Sequence, residues 1–584
     1  MRERKTKKID FGYERLADLA DKYYNEGKLF AALKIANKQY ALHGGDPDVF
    51  VRLADIYESM GLHASALNYW YKFLDVAEED DLPDIYEGLA VNYLNLGNES
   101  ASAYYYNQLM DSDDRLSDET KMDIVAAFSK AKPSPFRFVY PPRLADYSKE
   151  LEIGSRALKL GDPKRAVEYL SRIERGAKQY APAKELKAVA HLLTGEVEEA
   201  EKDCTELLQD YPDDVRVLAT LAAVYLEQGR TEESKALALA LYEREQTDGE
   251  DLYKVATVCC ENGLHRQAYE KFKLLERKMP YDGRMLYFKG VAAYKCGRLD
   301  EAERTLDDLC TLYPDAEVAK YYLHALRMQK AGETDETAPP VEFTYFYHLP
   351  QEVREERCRS LIRIGELSKD EAQLFGLIAL HDGYFQWCFD EMDGGDHDLQ
   401  YLALVTAERI RADEFIREAM LDSEVENVLK IETLRMLYMR NETMRLGLVL
   451  YDIYHKIELE RIQIGRKRRK RFLESYAKVA SKFVALKEVN GKKIKAAAEK
   501  LYQALAEYDS LDLVDNTDDC ACAIFIAAGL KELGQDVEKI AAVFDADISR
   551  VRVLLSVAVS AGYGVQKNGQ IQRKEDETNE TDRL

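Results

Sequence analysis

The sequence of 584 residues lacks the long apolar runs that membrane proteins need. It contains no stretch of about 18 consecutive apolar residues, which is close to the length that a membrane-spanning helix requires. The first residues, MRERKTKKIDFGYERL, are basic, but the apolar segment of a signal peptide does not follow them. We therefore expect a soluble, cytoplasmic protein that has no membrane partner.

Cysteine and histidine are also scarce, and the nine residues of each type are scattered along the chain. The cysteines do not form the spaced set that a disulfide framework needs. Cys520 and Cys522 lie two residues apart but have no second pair, so buried thiols are favoured over a zinc site.

The chain has none of the common catalytic motifs. We find no GxxxxGK[ST] phosphate loop, no GxSxG nucleophile elbow and no HExxH zinc motif. The acidic cluster FDEMDGGDHDLQ at residues 389–400 fails the EF-hand spacing, because Met392 stands where an oxygen ligand is needed. We interpret this cluster as a solvated turn, and we expect a protein that is not an enzyme, without catalytic residues, metal or cofactor.

What the sequence does contain is a regular series of glycines. Five of them follow one another at a constant interval: Gly161, Gly195, Gly229, Gly263 and Gly297. Small residues stand seven positions before each glycine (Gly154, Ala188, Ala222, Ala256, Gly290) and five positions after it (Ala166, Ala200, Ser234, Ala268, Ala302). Prolines that end a second helix follow three of the glycines, always at the same distance: Pro212, Pro280 and Pro314.

The interval between these glycines is the length of a helix-turn-helix repeat, which is about 34 residues. In the positions just described, residues 151–329 resemble the tetratricopeptide repeat family. The resemblance implies an all-α fold in which helix pairs stack into a superhelical solenoid. The same template matches three earlier glycines, Gly27, Gly61 and Gly97, so we expect two blocks of repeats.

The pattern divides the chain into seven parts. The prolines of PSPFRFVYPPR separate the two blocks of repeats. The polar segment AGETDETAPP follows the second block. The predicted parts are an N-terminal block of about three repeats (residues 1–130), a proline-rich break (131–150), a block of five repeats (151–330), an acidic linker (331–340), a solenoid-like helical domain (341–500), a small C-terminal unit (501–573) and a disordered tail (574–584).

The C-terminal unit resembles a winged helix-turn-helix. Three short apolar helices are expected, followed by a hairpin with its turn at Lys567, Asn568 and Gly569. Asp545 stands where that family has a glycine, and Asp547 adds negative charge beside the third helix. A protein is therefore favoured over DNA as its partner, and a generic three-helix or cyclin-box-like ending is the alternative.

Positive charge is concentrated in residues 456–500, where 15 basic residues stand against five acidic ones in a chain of net charge −24. The densest part is a run of six residues: Arg466, Lys467, Arg468, Arg469, Lys470 and Arg471. One interpretation is a patch that binds an anionic partner, either nucleic acid or an acidic protein. The interpretation that we favour is a solvated helix whose charges pair with acidic repeats of the same chain.

In tetratricopeptide repeats the first helix of each pair lines the inner groove, so the resemblance implies which side chains are exposed to a partner. Counting back from the glycines places the following candidates there: Arg216, Tyr253, Lys254, Arg284, Tyr287, Phe288, Val291 and Tyr294. Cys260 occupies another of these positions. The aromatic members suit an apolar or amphipathic peptide. The alternative is that some of these rings pack against the next repeat.

Two functions are compatible with these patterns. The first is a scaffold without enzymatic activity that binds partner proteins or peptides in its repeat grooves, with the C-terminal half as a second docking module. The second, which we rank below the first, is a regulator associated with nucleic acid through the basic segment and the C-terminal unit. The lysine and asparagine set with which chaperone-binding family members hold a C-terminal carboxylate is absent from the groove positions.

Overall fold

A computed structural model describes the chain at residues 12–112, 116–128, 147–159, 161–246, 248–332, 341–390, 396–484, 491–529, 537–560, 563–565 and 571–573. Most of the predicted proline-rich break, most of the acidic linker, the C-terminal tail and the turn at Lys567–Gly569 lie outside these residues. Within them the chain forms 29 α-helices and four short strands. The predicted all-α fold built from paired helices is confirmed.

The chain separates into two compact units. Unit 1 contains Met1–Ser117, Glu352–Phe389 and Gly395–Leu584, whereas unit 2 contains Asp118–Gln351 and Asp390–Gly394. The N-terminal repeat block and the C-terminal half of the chain are therefore parts of the same unit, although the main stretch of unit 2 separates them in sequence. The seven boundaries predicted from the sequence stay predictions.

Unit 1 begins with three helix pairs, which correspond to the three repeats expected around Gly27, Gly61 and Gly97. Within each pair the two helices pack directly on one another. The helices are α1 (Tyr13–Asn25), α2 (Leu29–His43), α3 (Pro47–Ser59), α4 (His63–Val76), α5 (Leu82–Asn95) and α6 (Glu99–Ser112), with a 3₁₀ turn at Glu79–Asp81 before α5.

Unit 2 contains one leading helix, five helix pairs and a final helix. The pairs run from α8 to α17, and the final helix packs on α17. The helices are α7 (Asp118–Phe128), α8 (Ser148–Lys159), α9 (Pro163–Leu170), α10 (Tyr180–Thr194), α11 (Val197–Asp210), α12 (Val215–Glu227), α13 (Thr231–Glu243), α14 (Gly249–Glu261), α15 (His265–Leu275), α16 (Gly283–Lys295), α17 (Leu299–Leu312) and α18 (Glu317–Ala331).

In the described residues, the rest of unit 1 is helical apart from two antiparallel pairs of strands. Its elements are α19 (Gln351–Glu366), α20 (Lys369–His381), α21 (Tyr384–Trp387), α22 (His397–Ile410), α23 (Asp413–Leu421), α24 (Asn427–Met439), β1 (Met444–Leu450), β2 (Ile453–Leu459), α25 (Arg469–Lys482), α26 (Gly491–Glu507), a 3₁₀ turn at Leu511–Leu513, α27 (Thr517–Ala527), α28 (Val537–Phe544), α29 (Ile548–Ser560), β3 (Tyr563–Val565) and β4 (Ile571–Arg573).

The periodic glycines end the first helix of each pair. All eight have a left-handed backbone, with φ between 66° and 78°, which costs glycine less than any other residue. In every repeat the residue after the glycine donates its N–H to the carbonyl five positions earlier; the bond from Arg298 to Ala293, for example, is 2.9 Å long. This is the closing bond of a Schellman motif, so the glycine period records where each pair turns.

The small residues seven positions before the glycines lie where two helices touch. Ala188, Ala222 and Ala256 are fully buried. At Gly154 an added Cβ atom would lie 2.6 Å from Cγ of Leu170, which is well inside van der Waals contact. At Gly290 the same atom would lie 3.2 Å from Cγ of Leu306. The two positions therefore tolerate a methyl group to different degrees.

We expect Gly154→Ala to destabilise the protein, while Gly290→Ala is closer to neutral. Alanine improves helix propensity by about 1 kcal/mol, but overpacking of a close contact typically costs about 1–3 kcal/mol, and only Gly154 has so close a contact. Urea unfolding of the full chain, followed by circular dichroism, measures both variants. Equal stability of the two variants would contradict this account of the helix contacts.

A β-hairpin joins the two parts of unit 1. Strands β1 and β2 pair antiparallel, with Leu450 opposite Ile453, so Tyr451 and Asp452 form a two-residue turn. The carbonyl oxygen of Asp452 lies 3.1 Å from the hydroxyl of Tyr71 and 3.1 Å from that of Tyr105, which both belong to the N-terminal repeats. The Asp452 carboxylate also accepts a bond of 2.9 Å from Asn98. The tip of the hairpin is therefore bound by α4, α6 and the turn before α6.

The two residues of the hairpin turn are of types that disfavour the backbone conformation of the turn. Tyr451 and Asp452 both have positive φ, 52° and 64°, which is the geometry of a type I′ turn that asparagine and glycine prefer. We expect Tyr451→Asn to raise the free energy of unfolding by about 1 kcal/mol, because left-handed backbone costs tyrosine more than asparagine. Tyr451 is 62% exposed, so little packing is lost. Tyr451→Phe is the control, and a similar gain from it would refute the turn explanation.

The last elements follow the order that a winged helix requires. Helix α27 packs against α28 and α29, and the antiparallel pair β3–β4 follows with Tyr563 opposite Arg573. Val551 and Leu554 of α29 are buried, as expected from the sequence. The resemblance to a winged helix stays a prediction.

Candidate functional site

The candidate site is the inner face of unit 2, where the first helices of the pairs carry the residues predicted to line a groove. Its charged part is formed by α10, α12 and α14. The Arg216 guanidinium lies 3.0 Å from a carboxylate oxygen of Glu250, and the Lys254 ammonium lies 4.0 Å from that of Glu185. Arg284 on α16 is exposed. Burial raises the pKa of Glu185, and the nearby Lys254 and Arg216 oppose that shift.

The aromatic part of the groove adjoins these charges. The ring of Tyr253 packs against those of Phe272 and Phe288, with centroid distances of 6.5 and 6.3 Å. Burial raises the pKa of Tyr253 to about 12, so its hydroxyl stays protonated at neutral pH. Tyr287 and Val291 of α16 are fully buried. Tyr294 is half-buried.

A segment of the chain itself, Val341–Leu349, fills the aromatic part; we call it the groove segment. It belongs to none of the helices, and its side chains alternate between two environments. Phe343, Tyr347 and Leu349 are buried and Tyr345 is half-buried, whereas Phe346 and His348 are exposed. The segment is not a regular strand, because it bends at Tyr345, Phe346 and His348, and the N–H of His348 bonds the carbonyl of Phe346 at 3.0 Å. Its buried side chains still recur at every second position, as they do in a strand.

The first ring pocket holds Phe343. Its ring stacks on that of Tyr294 at a centroid distance of 3.8 Å and an interplanar angle of 17°. The ring of Tyr322 on α18 lies 5.1 Å away on another side. Phe343 is only 2% exposed, so these contacts remove almost its whole side chain from water.

The groove also binds the backbone of the segment. The hydroxyl of Tyr287 lies 3.0 Å from the carbonyl oxygen of Thr344 and 3.2 Å from that of Phe346. Tyr322 donates its hydroxyl to the carbonyl of His348 at 3.1 Å. These tyrosines satisfy main-chain acceptors that no strand partner occupies.

The middle of the groove segment is held by Tyr345. Its hydroxyl lies 3.0 Å from Nδ1 of His265, and the Lys295 ammonium lies 5.7 Å from the centre of its ring. Burial lowers the pKa of His265, and the Lys295 charge lowers it further. A neutral imidazole is therefore favoured beside Tyr345.

Tyr347 anchors the end of the groove segment. Its hydroxyl donates to the buried carboxylate of Asp390 at 2.9 Å, and the same carboxylate accepts the backbone N–H of Val318 at 3.1 Å. Asp390 thereby places negative charge at the N-terminus of α18, where the helix dipole favours it. Burial and the Asp390 charge raise the pKa of Tyr347 well above its usual range.

The structure corrects three expectations about this groove and adds residues to it. Tyr287, Val291 and Cys260 were expected to be exposed but are buried. The groove segment and neighbouring rings cover Tyr287. Sequence reasoning missed His265, Tyr322 and Asp390, which lie outside the counted positions. It also treated residues 341–349 as part of a helical domain, although the alternating rings in VEFTYFYHL are the signal of an extended segment.

Two family models of the tetratricopeptide repeat match this chain, one over residues 151–215 and the other over residues 215–240 and 284–308. Those residues lie in four of the five helix pairs of unit 2, from α8 to α13 and in α16 and α17. This chain is a tetratricopeptide repeat protein. A search of curated proteins finds no match to it.

Several solved structures with such repeats can be aligned with this tetratricopeptide repeat protein. A repeat protein from Parabacteroides merdae ATCC 43184 is 15% identical, with 45% of this chain and 92% of that chain covered and a TM-score of 0.21. The APC/C hetero-tetramer Cut9–Hcn1 is 13% identical, with 94% and 96% covered and a TM-score of 0.24. Yeast Tom70 is 14% identical, with 94% and 96% covered and a TM-score of 0.20. At these values the likeness carries no argument about partners.

The basic run of this tetratricopeptide repeat protein lies at the start of α25 and pairs with aspartates near the 3₁₀ turn. Lys467 lies 2.7 Å from Asp509, Arg468 lies 3.2 Å from Asp512, and Arg471 lies 3.3 Å from Asp515. Arg469 donates to the carbonyl of Ile464. Arg466 and Lys470 are exposed. The charges therefore pair within the chain, as favoured from the sequence, but with this aspartate segment rather than with the repeats.

We expect the combined variant Asp509→Asn, Asp512→Asn and Asp515→Asn to gain salt-sensitive binding to duplex DNA that the parent protein lacks. The substitutions leave three of the six clustered cations, Lys467, Arg468 and Arg471, without their nearest counter-charges, and such clusters attract phosphate. The exposed pairs contribute little to stability, so folding is expected to persist. Fluorescence anisotropy at low and moderate salt measures the binding.

The control for this experiment carries the same change of net charge elsewhere, at the exposed Asp213, Asp300 and Asp398. It should bind DNA no better than the parent. If the parent already binds as tightly as the patch variant, the aspartates do not mask the run.

Two other features noted in the sequence are the cysteines of α27 and the acidic cluster at residues 389–400. Cys520 and Cys522 are fully buried in α27, and burial raises the pKa of each thiol to about 12, which disfavours the thiolate that binds zinc. Asp396 caps the start of α22, while residues 391–395 of the acidic cluster lie outside the described chain. Among the described residues, no group of side chains could hold a metal ion, and no helix has the length and apolar character to cross a bilayer.

Proposed function

We propose that this tetratricopeptide repeat protein is a scaffold without enzymatic activity, which binds partner proteins or peptides on the inner faces of its repeats. The family models and the paired helices support an interaction scaffold in general terms. The observation that supports peptide binding most directly is the groove segment, because a non-helical piece of chain already lies among Tyr287, Phe288 and Tyr294.

The charged part of the groove supports the same proposal. We call Arg216, Lys254 and Arg284 the cationic zone. Their side chains are exposed or half-buried on α12, α14 and α16, and the groove segment fills the neighbouring aromatic part. Arg216 is paired with Glu250, so the zone presents both signs of charge. A partner that brings carboxylates to these cations would add charge-assisted hydrogen bonds.

The test replaces the cationic zone by alanine at all three positions. Capture of partners by the tagged full chain from its native cell extract, quantified by mass spectrometry, should fall by about tenfold or more, as expected for central charged contacts of an interface. A matched variant replaces Arg266, Lys273 and Arg277, three exposed cations on α15 and its C-terminal turn. This control should retain the partners.

The comparison between the two variants decides the result. Proteins lost by both variants, or by neither, would speak against binding at the inner face. Proteins lost only by the cationic-zone variant support the scaffold at this site. Circular dichroism of each variant verifies that the helix pairs remain folded.

The alternative function, a regulator associated with nucleic acid, gains no support from the geometry of the basic run. Three of its six cations lie against Asp509, Asp512 and Asp515, and the capping aspartate Asp547 bonds the backbone of Ser549 at the start of α29. Negative charge at these places disfavours a phosphate backbone.

A further inference from the structure

The groove segment of unit 2 is bound in the way that repeat grooves bind peptides. Its contacts fall on side chains at every second position, while Phe346 remains 70% exposed. Its backbone is held by hydroxyls of Tyr287 and Tyr322, which bond carbonyl groups that any extended peptide carries. The groove therefore binds the carbonyl groups of a non-helical backbone and alternate side chains, and it leaves the side chains between them in solvent.

We propose that Val341–Leu349 is an intramolecular ligand and that the partner of this groove is a non-helical peptide with rings at alternate positions, which replaces it. The partner carries an aromatic ring where Phe343 lies, tyrosines where Tyr345 and Tyr347 lie, and an apolar residue where Leu349 lies. This inference rests on the proposed function and names the class of partner that the aromatic part accepts.

The helices of the groove do not depend on the segment for their pairing. Helix α14 packs on α15, α16 packs on α17, and α17 packs on α18. The pairs have their own buried residues, among them Leu275, Leu306 and Leu309, which are fully buried. Departure of the segment would uncover rings on the inner face and leave the helix pairs in place.

The hydroxyl groups explain why tyrosine is required at two positions. Asp390 is buried and keeps the N–H of Val318 when the segment leaves, but it loses the hydroxyl of Tyr347. A buried carboxylate without this donor is costly, so a partner that restores the hydroxyl is favoured over one with phenylalanine. The hydroxyl of Tyr345 forms a hydrogen bond with Nδ1 of the half-buried His265, which phenylalanine could not make.

The short chain between α18 and the groove segment determines how strongly the segment competes with a free peptide for the groove. Only eight residues, 333–340, separate the described end of α18 from the segment. For tethers this short the effective concentration of the bound end is on the order of millimolar. A free peptide of the same chemistry therefore binds poorly to the parent protein and well to a protein whose own segment is weakened.

The experiment uses the full chain and a fluorescent synthetic peptide with the sequence VEFTYFYHL. The segment variant combines Phe343→Ala and Tyr345→Ala, which remove two inward rings. By fluorescence anisotropy, it should bind the peptide at least about tenfold more tightly than the parent does. A peptide with phenylalanine in place of the tyrosine equivalent to Tyr347 should bind more weakly to the same variant.

Two further variants separate displacement from general loosening. Phe346→Ala with His348→Ala removes outward rings of the same segment, and it should bind the peptide no better than the parent. Tyr294→Ala added to the segment variant removes the ring on which Phe343 stacks, and it should abolish the gain. Equal binding by parent and segment variant, or a gain that survives Tyr294→Ala, would overturn the proposal.

Hydrogen exchange of the parent protein gives an independent reading if the segment variant misfolds. The amides of Val341–Leu349 should exchange faster than those of α16 and α18, because the segment opens while the pairs stay closed. Equal protection would mean that the segment is an integral part of the core, which contradicts the proposal. Loss of partners at the cationic zone tests the scaffold separately, so either idea can fail alone.

Discussion

One kind of interaction recurs in both units and holds their non-helical parts in place: a tyrosine hydroxyl on a repeat helix donates to a main-chain carbonyl elsewhere in the chain. In unit 1, Tyr71 and Tyr105 hold the carbonyl of Asp452. In unit 2, Tyr287 and Tyr322 hold carbonyls of the groove segment. Helices satisfy their own backbone groups, so only segments that leave helical conformation need such partners. The repeats supply them from rigid positions.

This arrangement makes each block of repeats a binding surface for its own chain. The N-terminal repeats bind a hairpin tip through a backbone carbonyl and the carboxylate of Asp452. The second block binds an extended segment through ring pockets. The hairpin tip and the groove segment differ in shape, yet both are bound mainly through their backbone groups and through aromatic contacts. A solenoid is suited to this because its inner and outer faces are built from few, repeated positions.

The sequence predicts what is local and misses what is distant. The glycine period predicts the turns because left-handed backbone and the Schellman bond are fixed within one helix end. Counting from those glycines also identifies Tyr287 and Tyr294, which contact the groove segment. It does not predict that the segment covers Tyr287. The binding of Val341–Leu349, the hairpin tip and the aspartates beside Arg468 each depend on pairs of residues far apart in the chain, for which a single sequence has no local signal.

Unit 1 is built from stretches that lie far apart in the chain, and this affects the order in which the two units can fold during synthesis. Tyr71 and Asp452 are 381 residues apart, whereas most of unit 2 is one continuous stretch between them. During synthesis from the N-terminus, all residues of unit 2 are made before those of the hairpin. Unit 1 is thus completed last, after a long loop has been closed at an entropic cost that rises slowly with its length. Until then Tyr71 and Tyr105 lack the carbonyl of Asp452 that they later bind. The first repeats therefore expose this binding surface until the β1–β2 hairpin has been made.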